Sequence, residues 1–391
     1  MTAAARGSAY PHAMRRLRIV SVLTSDARGG GEFAAAELLD GMARRGHEAV
    51  LLTNEPELGA GLDLVVRPLS LGPKLSSRTW RPLLRAAPRH QARLAAALRR
   101  EQPYDVLLLH FKKEQLMAGA LPPSLAAATV WAEWGPVPDQ LAHGPGRLAY
   151  AAASRRARAV IAVSDNTRDS VVAAGVDPRK VTTVPPPVEV DVVRFDPGAR
   201  ARVRGEWGAG EGTLVLLCVT RLDRKKRNDV VIDAVRRLGG DTLLVFAGDG
   251  DQEAPLRALA ADLGDRVRFL PNPRGYVEQL LSAADVAVVA PQATEGAPRA
   301  VALGHLVGRP VVATAPSGAI PEMVPPGTGI VASPPNDPAA VAAAFAAYRD
   351  DPERRARDGA AGRALALERH DPERLSDEVE RILLEAADGR R

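Results

Sequence analysis

Short apolar runs alternate with helix-like patterns along almost the whole chain. Runs without polar alternation are typical of parallel strands that are buried on both faces. They occupy residues 17–24, 48–53, 105–110, 128–134 and 159–164 in the first half, and 213–220, 242–248, 267–270, 285–290 and 311–314 in the second. Because helical periodicity fills most of the segments between them, this order predicts an α/β protein with two doubly wound, Rossmann-like sheets.

A Pro- and Gly-rich passage at 181–212 interrupts the alternation. It divides the chain into a predicted N-terminal domain at 15–195, after a leader at 1–14, and a predicted C-terminal domain at 196–369. Residues 370–391 form a last amphipathic helix, whose apolar side carries Leu375, Val379, Ile382 and Leu383. A chain of 391 residues is too long for one ordinary core. A cleft between two domains is a preferred place for a small ligand.

The composition, with 46% hydrophobic and 25% charged residues, is that of a soluble globular protein. No apolar run reaches the length of a transmembrane helix. The single Cys218 excludes an internal disulfide and fits a reducing compartment. It lies within an apolar run, which favours a structural thiol over a catalytic one. We therefore expect a cytoplasmic protein.

The net charge of +5 permits an anionic partner, and much of the charge lies in one basic segment at 73–103. This segment has eight Lys and Arg residues against Glu101. Its interleaved leucines would let it lie on an anionic membrane surface. Charge runs more often solvate a helix face, however, and Pro82 and Pro88 should break this helix. We favour the solvated face, and nucleic-acid binding is not expected because Trp80 is the one aromatic residue in the segment.

Two turns at the carboxyl ends of predicted strands carry candidate ligand-binding groups. Glu295 follows the strand at 285–290, and Arg221 and Lys226 belong to a basic cluster after the strand at 213–220. Doubly wound sheets bind their ligands at this edge. A carboxylate there suits sugar hydroxyls, and neighbouring Arg and Lys side chains suit a diphosphate. A solvated basic loop is the alternative interpretation of the cluster.

The first predicted strand–helix turn contains Gly29, Gly30 and Gly31. Glycines let the backbone approach a ligand, and the following helix start offers N–H groups to an anion. The spacing is not GxGxxG, so an ordinary turn and a phosphate contact explain it equally well. No metal site is expected, because the histidines show no i, i+4 pair and the acidic stretch at 248–253 follows a strand as a turn.

Taken in order, these segments resemble the glycosyltransferases of family 4, which are retaining enzymes of the GT-B fold. The resemblance covers nearly the whole chain after the leader. It is carried by the early GGG, AVIAVSDNTRDSVVAAGVDPRKVTTVP, TRLDRKKRNDVVIDA, FAGDGDQ, DRVRFLPN, AADVAVVAPQATEG and GRPVVATAPSGAIPEMV.

The resemblance implies that a nucleotide-diphosphate sugar, expected to be a UDP sugar, binds in the cleft. Arg221 and Lys226 match the residues that hold the diphosphate, and the glycines at 29–31 match those that approach it. Glu295 matches the donor-sugar contact, and Gly296 precedes a helix start near the phosphates. The acceptor hydroxyl would attack from the same face, with no metal or other cofactor. The C-terminal helix would cross back onto the N-terminal domain.

The sequence departs from the family pattern at three places. The second glutamate of the E-x7-E motif is replaced by Leu303, which removes the usual hold on the ribose hydroxyls. The family's histidine in the T-x-H-G region is replaced by Trp134, which leaves Glu133 as the nearest polar candidate for acceptor-side chemistry. The linker PNGVD is replaced by PPPVE at 185–189, which stiffens the passage into the second domain.

These features lead to three functional hypotheses. The first is a hexosyltransferase acting on a small acceptor, such as an aminocyclitol in antibiotic biosynthesis. The second is transfer to a membrane lipid, suggested by the basic segment, which would make contact with the membrane surface. The third is a sugar-nucleotide binding protein without turnover, suggested by Leu303 and Trp134.

Overall fold

The computed structural model describes residues 15–25, 29–76, 78–126, 128–188, 190, 192–273, 275–291 and 295–389. The predicted leader at 1–14 lies outside the described residues, as does Glu189 of the linker.

The first sheet has seven parallel strands in the order β3-β2-β1-β4-β5-β6-β7. The strands are β1 (Arg18–Leu23), β2 (Glu48–Thr53), β3 (Val65–Pro68), β4 (Val106–Leu109), β5 (Ala128–Glu133), β6 (Ala159–Ala162) and β7 (Val181–Thr183). The helices that accompany it are α1 (Gly30–Arg44), α2 (Trp80–Arg100), α3 (Lys112–Ala118), α4 (Asp139–Ala142), α5 (Gly144–Ser154) and α6 (Asp165–Ala173).

The second sheet has six parallel strands in the order β10-β9-β8-β11-β12-β13. The strands are β8 (Leu214–Val219), β9 (Thr242–Ala247), β10 (Val267–Leu270), β11 (Val286–Val289), β12 (Val311–Ala313) and β13 (Gly329–Val331). The helices are α7 (Pro197–Glu206), α8 (Asn228–Leu238), α9 (Glu253–Leu259), α10 (Val277–Ala283), α11 (Arg299–Leu306), α12 (Ile320–Met323), α13 (Pro338–Asp350), α14 (Pro352–Arg369) and α15 (Pro372–Ala387).

Each sheet is covered by apolar clusters on both faces, as a doubly wound fold requires. Val184 belongs to a cluster of the first sheet and Val188 to a cluster of the second, so the chain leaves the first domain between these two residues. The last helix, α15, returns to the first sheet, where Leu375, Val379 and Ile382 pack against α1 and β4 to β6. The chain therefore crosses between the domains twice.

The two crossings meet at a buried histidine. His370, between α14 and α15, is 3% exposed, and its Nδ1 donates to the backbone carbonyl of Pro186 at 2.9 Å. The first crossing contains Pro186 and the second contains His370, so one hydrogen bond joins both connections.

Four helices of the second half begin with the same dipeptide, Asp-Pro. Asp196, Asp337, Asp351 and Asp371 are the N-cap residues of α7, α13, α14 and α15, and each side chain accepts a backbone N–H of the first turn. The proline that follows needs no N–H at this position and has the φ of a helix. The sequence thus specifies these starts directly.

The basic helix α2 corrects one prediction, because it runs without interruption from Trp80 to Arg100 through both prolines. Pro82 lies in the first turn, where a backbone N–H needs no helical acceptor. Pro88 gives up a bond to the carbonyl of Leu84, a residue that is 67% exposed. Among the described residues, no helix is both long and apolar enough to cross a membrane.

A buried carboxylate joins the second sheet to its helices. Asp285 is 4% exposed and accepts hydrogen bonds from the Val215 N–H at 2.9 Å, from Arg200 at 2.7 Å and from Arg204 at 3.0 Å. Burial alone would raise the pKa of this carboxyl group. The Val215 N–H and the Arg200 guanidinium outweigh burial and leave the pKa below its ordinary value.

We expect Asp285→Asn to lower the free energy of unfolding by about 3 kcal/mol near neutral pH, because two partly buried guanidinium groups lose their carboxylate. A depressed pKa stabilises the fold above the unfolded-state value and loses that effect as the pH falls through the folded-state value. The difference in unfolding free energy between wild type and variant should therefore become smaller below about pH 4. Calorimetry across this pH range measures it.

The exposed Asp350, which pairs with Arg349 at the end of α13, is the control position. Asp350→Asn should leave the unfolding transition unchanged. A gap for Asp285→Asn that stayed constant as the pH fell would contradict the role assigned to its charge.

Candidate active site

The candidate residues of the second domain lie at the point where its strand order reverses. Strands β8 and β11 are neighbours in the sheet, although β9 and β10 come between them in the sequence. Lys226 ends a 3-10 turn after β8, and Glu295 follows β11. The Lys226 Nζ lies 2.5 Å from the Glu295 Oε1, and both side chains are about one-fifth exposed, at 21% and 22%. The structure therefore joins two residues that are 69 positions apart.

A neighbouring loop holds the backbone of Glu295 in place. The Ala319 N–H donates to the carbonyl of Glu295 at 2.9 Å. Gly318 has a φ of +57°, and a Cβ at this position would lie 2.1 Å from the same carbonyl oxygen. Only glycine fits both the conformation and the close contact, so the loop after β12 fixes where Glu295 can lie.

Arg221 lies at the same edge but is held differently. Its side chain is 54% exposed and its Nη2 is 3.1 Å from the Asp223 Oδ2. The other carboxylate oxygen of Asp223 caps the following turn by accepting the Lys225 N–H at 3.0 Å. The guanidinium therefore lies exposed at the carboxyl edge of the second sheet, next to the turn that carries Lys226.

In the first domain, the glycine turn meets the start of α1. Glu32 accepts the Gly29 N–H at 3.1 Å and the Ser25 hydroxyl at 2.9 Å, and it also pairs with Lys74. This capping arrangement orients the helix start. Residues 26–28 of the turn lie outside the described part of the chain.

The glycines of this turn do not serve an unusual backbone conformation. Gly29, Gly30 and Gly31 are absent from the positive-φ positions of the described chain. Among the described residues, no atom would lie within 4 Å of a Cβ on Gly30. Since glycine weakens a helix relative to alanine, the fold itself gains nothing from Gly30. Open space beside a helix N-terminus is what an anionic ligand requires.

The two domains touch through their backbones beside these residues. A Cβ on Gly296 would lie 2.2 Å from the carbonyl oxygen of Trp134 and 2.6 Å from the Cα of Gly135. A Cβ on Gly31 would lie 3.5 Å from the Cβ of Trp134. Gly296, Trp134 and Gly31 are thus close together, and the ligand edges of both sheets face each other across the cleft.

Two polar contacts accompany this backbone contact. Arg299 of α11 donates to both carboxylate oxygens of Glu37 in α1, at 2.9 and 2.8 Å. The Asp165 N–H at the start of α6 donates to the Glu322 Oε2 at 3.1 Å. Both contacts join the first domain to the second, so the cleft has its two walls held at a defined separation.

Glu133 points away from the cleft. It is the last residue of β5, it is 1% exposed, and it pairs with Lys112 and accepts the Tyr150 hydroxyl at 2.6 Å. Successive strand residues face opposite sides of a sheet, so Glu133 and Trp134 diverge. Burial lowers the pKa of Lys112 below its ordinary value, and Glu133 opposes this shift. Glu133 therefore lies within a buried charged network behind the cleft.

Leu303 is also buried, at 6% exposure, within an apolar cluster of the second domain. The position that holds the second glutamate in the family motif is here part of the core. Cys218 on β8 is 1% exposed, and burial raises its pKa. Its environment is that of a structural thiol.

The sequence analysis missed His110, which follows β4 directly. Its ring joins Trp134 to Ser21 through two hydrogen bonds, of 3.1 and 2.7 Å. Its position could have indicated a site residue. His110 follows β4, which lies next to β1 where the strand order of the first sheet reverses, and ligands bind at such points. The histidines had been considered only as metal ligands. Among the described residues, no three His, Cys, Asp or Glu side chains are grouped to hold a metal, and metal independence stays a prediction.

Two family models together match most of the chain. Residues 28–192 match the model described as Glycosyltransferase Family 4, and residues 199–365 match Glycosyl transferases group 1. The first covers the described elements of the first domain from α1 to β7, and the second covers those of the second domain from β8 to β13. The chain is therefore built from two glycosyltransferase domains.

The curated relatives include a D-inositol 3-phosphate glycosyltransferase of Geodermatophilus obscurus, 38% identical over 41% of this chain. Another is a GDP-mannose-dependent alpha-(1-6)-phosphatidylinositol monomannoside mannosyltransferase of Mycolicibacterium smegmatis, 36% identical over 53% of this chain. The chain spans 38% and 56% of the lengths of these two relatives.

Solved structures confirm the predicted fold. Anabaena HepE in complex with UDP aligns with a TM-score of 0.80 at 19% identity, over 94% of this chain and 99% of that one. The sucrose-phosphate synthase of Thermosynechococcus elongatus aligns with a TM-score of 0.78 at 17% identity, over 94% and 98%. The two doubly wound sheets are those of the GT-B fold.

We expect Lys112→Met to destabilise the protein by about 3 kcal/mol or more, because Glu133 would be left as an uncompensated buried charge. The double variant Lys112→Met/Glu133→Leu should recover most of this loss, since it removes both charges. Calorimetric unfolding of the single and double variants measures the coupling. Lys225→Met, at an exposed neighbour of Lys226, serves as the control. If the double variant is no more stable than Lys112→Met, the loss of stability in Lys112→Met does not come from leaving the Glu133 carboxylate unpaired.

Proposed function

We propose that this chain, built from two glycosyltransferase domains, transfers a sugar from a nucleotide diphosphate to a hydroxyl group of a cyclitol. The observation that carries the proposal is the placement of Lys226 and Glu295 at the ligand edge of the second sheet. They lie beside Gly296, which packs on the backbone of the first domain. A cation and a carboxylate at this junction suit a diphosphate and a sugar hydroxyl respectively.

In the proposed reaction, the bond from the anomeric carbon of the donor sugar to the β-phosphate oxygen breaks. A bond from that carbon to the acceptor oxygen forms on the same face, and the acceptor proton passes to the departing diphosphate. Lys226 and Arg221 stabilise the charge that develops on the diphosphate. The turn of Gly29, Gly30 and Gly31 faces it on the other side of the cleft, and Gly30 leaves space for it there. Glu295 binds a hydroxyl of the donor sugar, and no metal takes part.

The Lys226–Glu295 pair indicates how the site is arranged before the donor binds. The carboxylate neutralises Lys226 while the diphosphate is absent, which lowers the cost of leaving a cation in a partly buried position. A pair about one-fifth exposed contributes little stability, so the diphosphate can compete for the ammonium group. Glu295 is then released toward the sugar.

The cyclitol acceptor is supported by the activities for which two relatives are named. Those of Geodermatophilus obscurus and Mycolicibacterium smegmatis are named for inositol phosphate and a phosphatidylinositol mannoside. An aminocyclitol of an antibiotic pathway belongs to the same chemical class.

We place Glu133 as a positioning residue, because its carboxylate is held by Lys112 and Tyr150 behind the cleft.

A panel of UDP, GDP, dTDP and ADP sugars, tested by thermal shift, identifies the donor because a specific ligand stabilises the folded state by mass action. We expect one nucleotide to raise the Tm. Lys226→Ala should weaken its binding by roughly ten- to a hundredfold, the effect of losing a charge-assisted hydrogen bond. Lys225→Ala, in the same turn but exposed, should bind as wild type does.

Equal binding by the Lys226→Ala and Lys225→Ala variants would contradict the diphosphate assignment. Nucleotide release is then measured with inositol phosphate and with an aminocyclitol as acceptors. Specific binding without release from any donor would leave a sugar-nucleotide binding protein in place of the transferase.

A lipid-linked cyclitol is the second candidate acceptor, and α2 favours it. The helix has no acidic residue between Trp80 and Arg100. Its exposed side chains include the basic residues Arg81, Arg85, Arg89, Arg93, Arg99 and Arg100 and the apolar residues Trp80 and Leu84. The segment before α2 borders the cleft, since Lys74 pairs with Glu32 at the start of α1. A membrane bound at α2 would present its headgroups close to the proposed site.

Replacing Arg81, Arg85 and Arg89 together by Gln should weaken binding to phosphatidylglycerol vesicles at low salt by roughly a hundredfold, at about 1 kcal/mol per charge. Co-sedimentation with anionic and with zwitterionic vesicles measures this. The matched control replaces three exposed arginines of the second domain, Arg202, Arg257 and Arg357, and should bind as wild type does. Failure of the wild type to sediment with anionic vesicles would remove the lipid candidate and leave the soluble cyclitol.

A further inference from the structure

Trp134 lies where the two domains meet, and the geometry of the first sheet determines which face its side chain is on. Val130 and Ala132 belong to the apolar cluster on the side of α1 and α15, and Trp134 packs against the same cluster. Trp131 belongs to the cluster on the other side. This alternation turns the indole toward Gly31 in the first turn of α1, and the side chain remains partly exposed.

Two hydrogen bonds fix the orientation of the indole. The Trp134 Nε1 donates to the His110 Nδ1 at 3.1 Å, and the His110 Nε2 lies 2.7 Å from the Ser21 Oγ. Since an indole nitrogen can only donate, the His110 Nδ1 accepts, and its proton lies on Nε2 and is donated to Ser21. His110 is 2% exposed, and burial lowers its pKa to about 3, so this neutral tautomer persists at physiological pH.

His110 meets the indole at its edge and not across a face. The two ring centroids are 5.9 Å apart and the ring planes meet at 28°. A hydrogen bond of 3.1 Å lying close to both ring planes gives such a separation, whereas rings in face-to-face contact lie closer. The single polar atom of the indole is therefore used within the protein. What the side chain offers a ligand is its π face.

On its way into the cleft, Trp134 borders one glycine from each domain. Gly31 lies beside its Cβ and Gly296 lies against its carbonyl oxygen. Gly30, one residue before Gly31, has open space where a Cβ would be. Trp134 is thus a large apolar residue that lies between a glycine of each domain. A partly exposed ring bordered by glycines can accept a flat ligand against its face.

We propose that the indole face of Trp134 is the platform on which the ring of the acceptor polyol lies during transfer. The inference rests on the proposed function and names the feature of the acceptor that this site recognises, a six-membered ring with an apolar C–H face. The negative π face attracts the weakly positive C–H groups on such a face. Equatorial hydroxyl groups at the ring edge then point outward, toward the polar walls of the cleft.

The position assigns Trp134 to the acceptor. Lys226 and Glu295, which we propose to bind the donor, belong to the second domain, whereas Trp134 belongs to the first. His110 and Ser21 do not reach the ligand in this arrangement. They are positioning residues, which keep the indole plane from rotating.

The kinetic experiment compares Trp134→Leu, Trp134→Phe and His110→Gln with wild type, using the donor and acceptor that give turnover. Trp134→Leu should raise the acceptor KM by roughly five- to tenfold while the donor KM stays within about twofold. Trp134→Phe should retain most of the affinity, because it keeps a π face. His110→Gln should raise the acceptor KM by less than Trp134→Leu does. Unchanged nucleotide-induced thermal shifts confirm that each variant is folded.

The second readout does not require turnover. Titration with scyllo-inositol, whose ring faces carry only C–H groups, should quench the tryptophan fluorescence of wild type. The quench should disappear in Trp134→Phe and persist in Trp80→Phe, which removes an exposed tryptophan of α2. Glycerol, which has hydroxyl groups and no ring, should cause no quench.

The outcomes separate this inference from the proposed function. Turnover with an acceptor KM that Trp134→Leu leaves unchanged, or a donor KM that moves in its place, would overturn the platform. A quench that depends on Trp134 in the absence of any turnover would overturn the transferase and support the platform in a binding protein. Neither quench nor turnover in wild type would overturn both.

Discussion

Backbone contact between Gly296 and the Trp134–Gly135 segment sets the geometry of the cleft. A single methyl group on Gly296 would lie 2.2 Å from a carbonyl oxygen that cannot move without displacing β5. The contact therefore admits no side chain on Gly296. It places the carboxyl edges of the two sheets opposite each other. Glu295 stands one residue before this contact and Lys226 is bound to Glu295, so the polar groups of the second domain depend on it.

Charged side chains in and behind the cleft form pairs. Three pairs place an ammonium group next to a carboxylate at the ligand edge of a sheet: Lys226 with Glu295, Lys112 with Glu133, and Lys74 with Glu32. The first pair is partly open to solvent, whereas the carboxylate of the second is 2% exposed. Desolvation makes the buried pair costly to separate and leaves the open pair able to exchange partners. The same chemical pairing thus acts as scaffold in one place and as an exchangeable contact in the other.

The alternation of buried strands was readable from the sequence because parallel strands covered on both faces consist almost entirely of apolar residues, as in β4, β8 and β9. The edge strands β3, β7 and β13 were missed, since each has only three or four residues and most of these residues are not fully buried. The site was only partly readable. Glu295 and Lys226 stand out by position, but the direction of Glu133 depends on Lys112 and Tyr150, which approach from other elements. His110 shows its role only through Trp134 and Ser21, and no local pattern contains that contact.

The return of α15 to the first domain has a consequence for synthesis of the chain. The first domain is otherwise complete once β7 has formed, yet the cluster on one face of its sheet includes Leu375, Val379, Ile382, Leu383 and Ala386. Until these residues leave the ribosome, the apolar surface of α1 and of the neighbouring strands has no cover. The whole second domain is translated during that interval. The first domain is therefore translated before the second but completed after it. If translation stalls within the second domain, the apolar face that α15 would cover remains exposed to solvent.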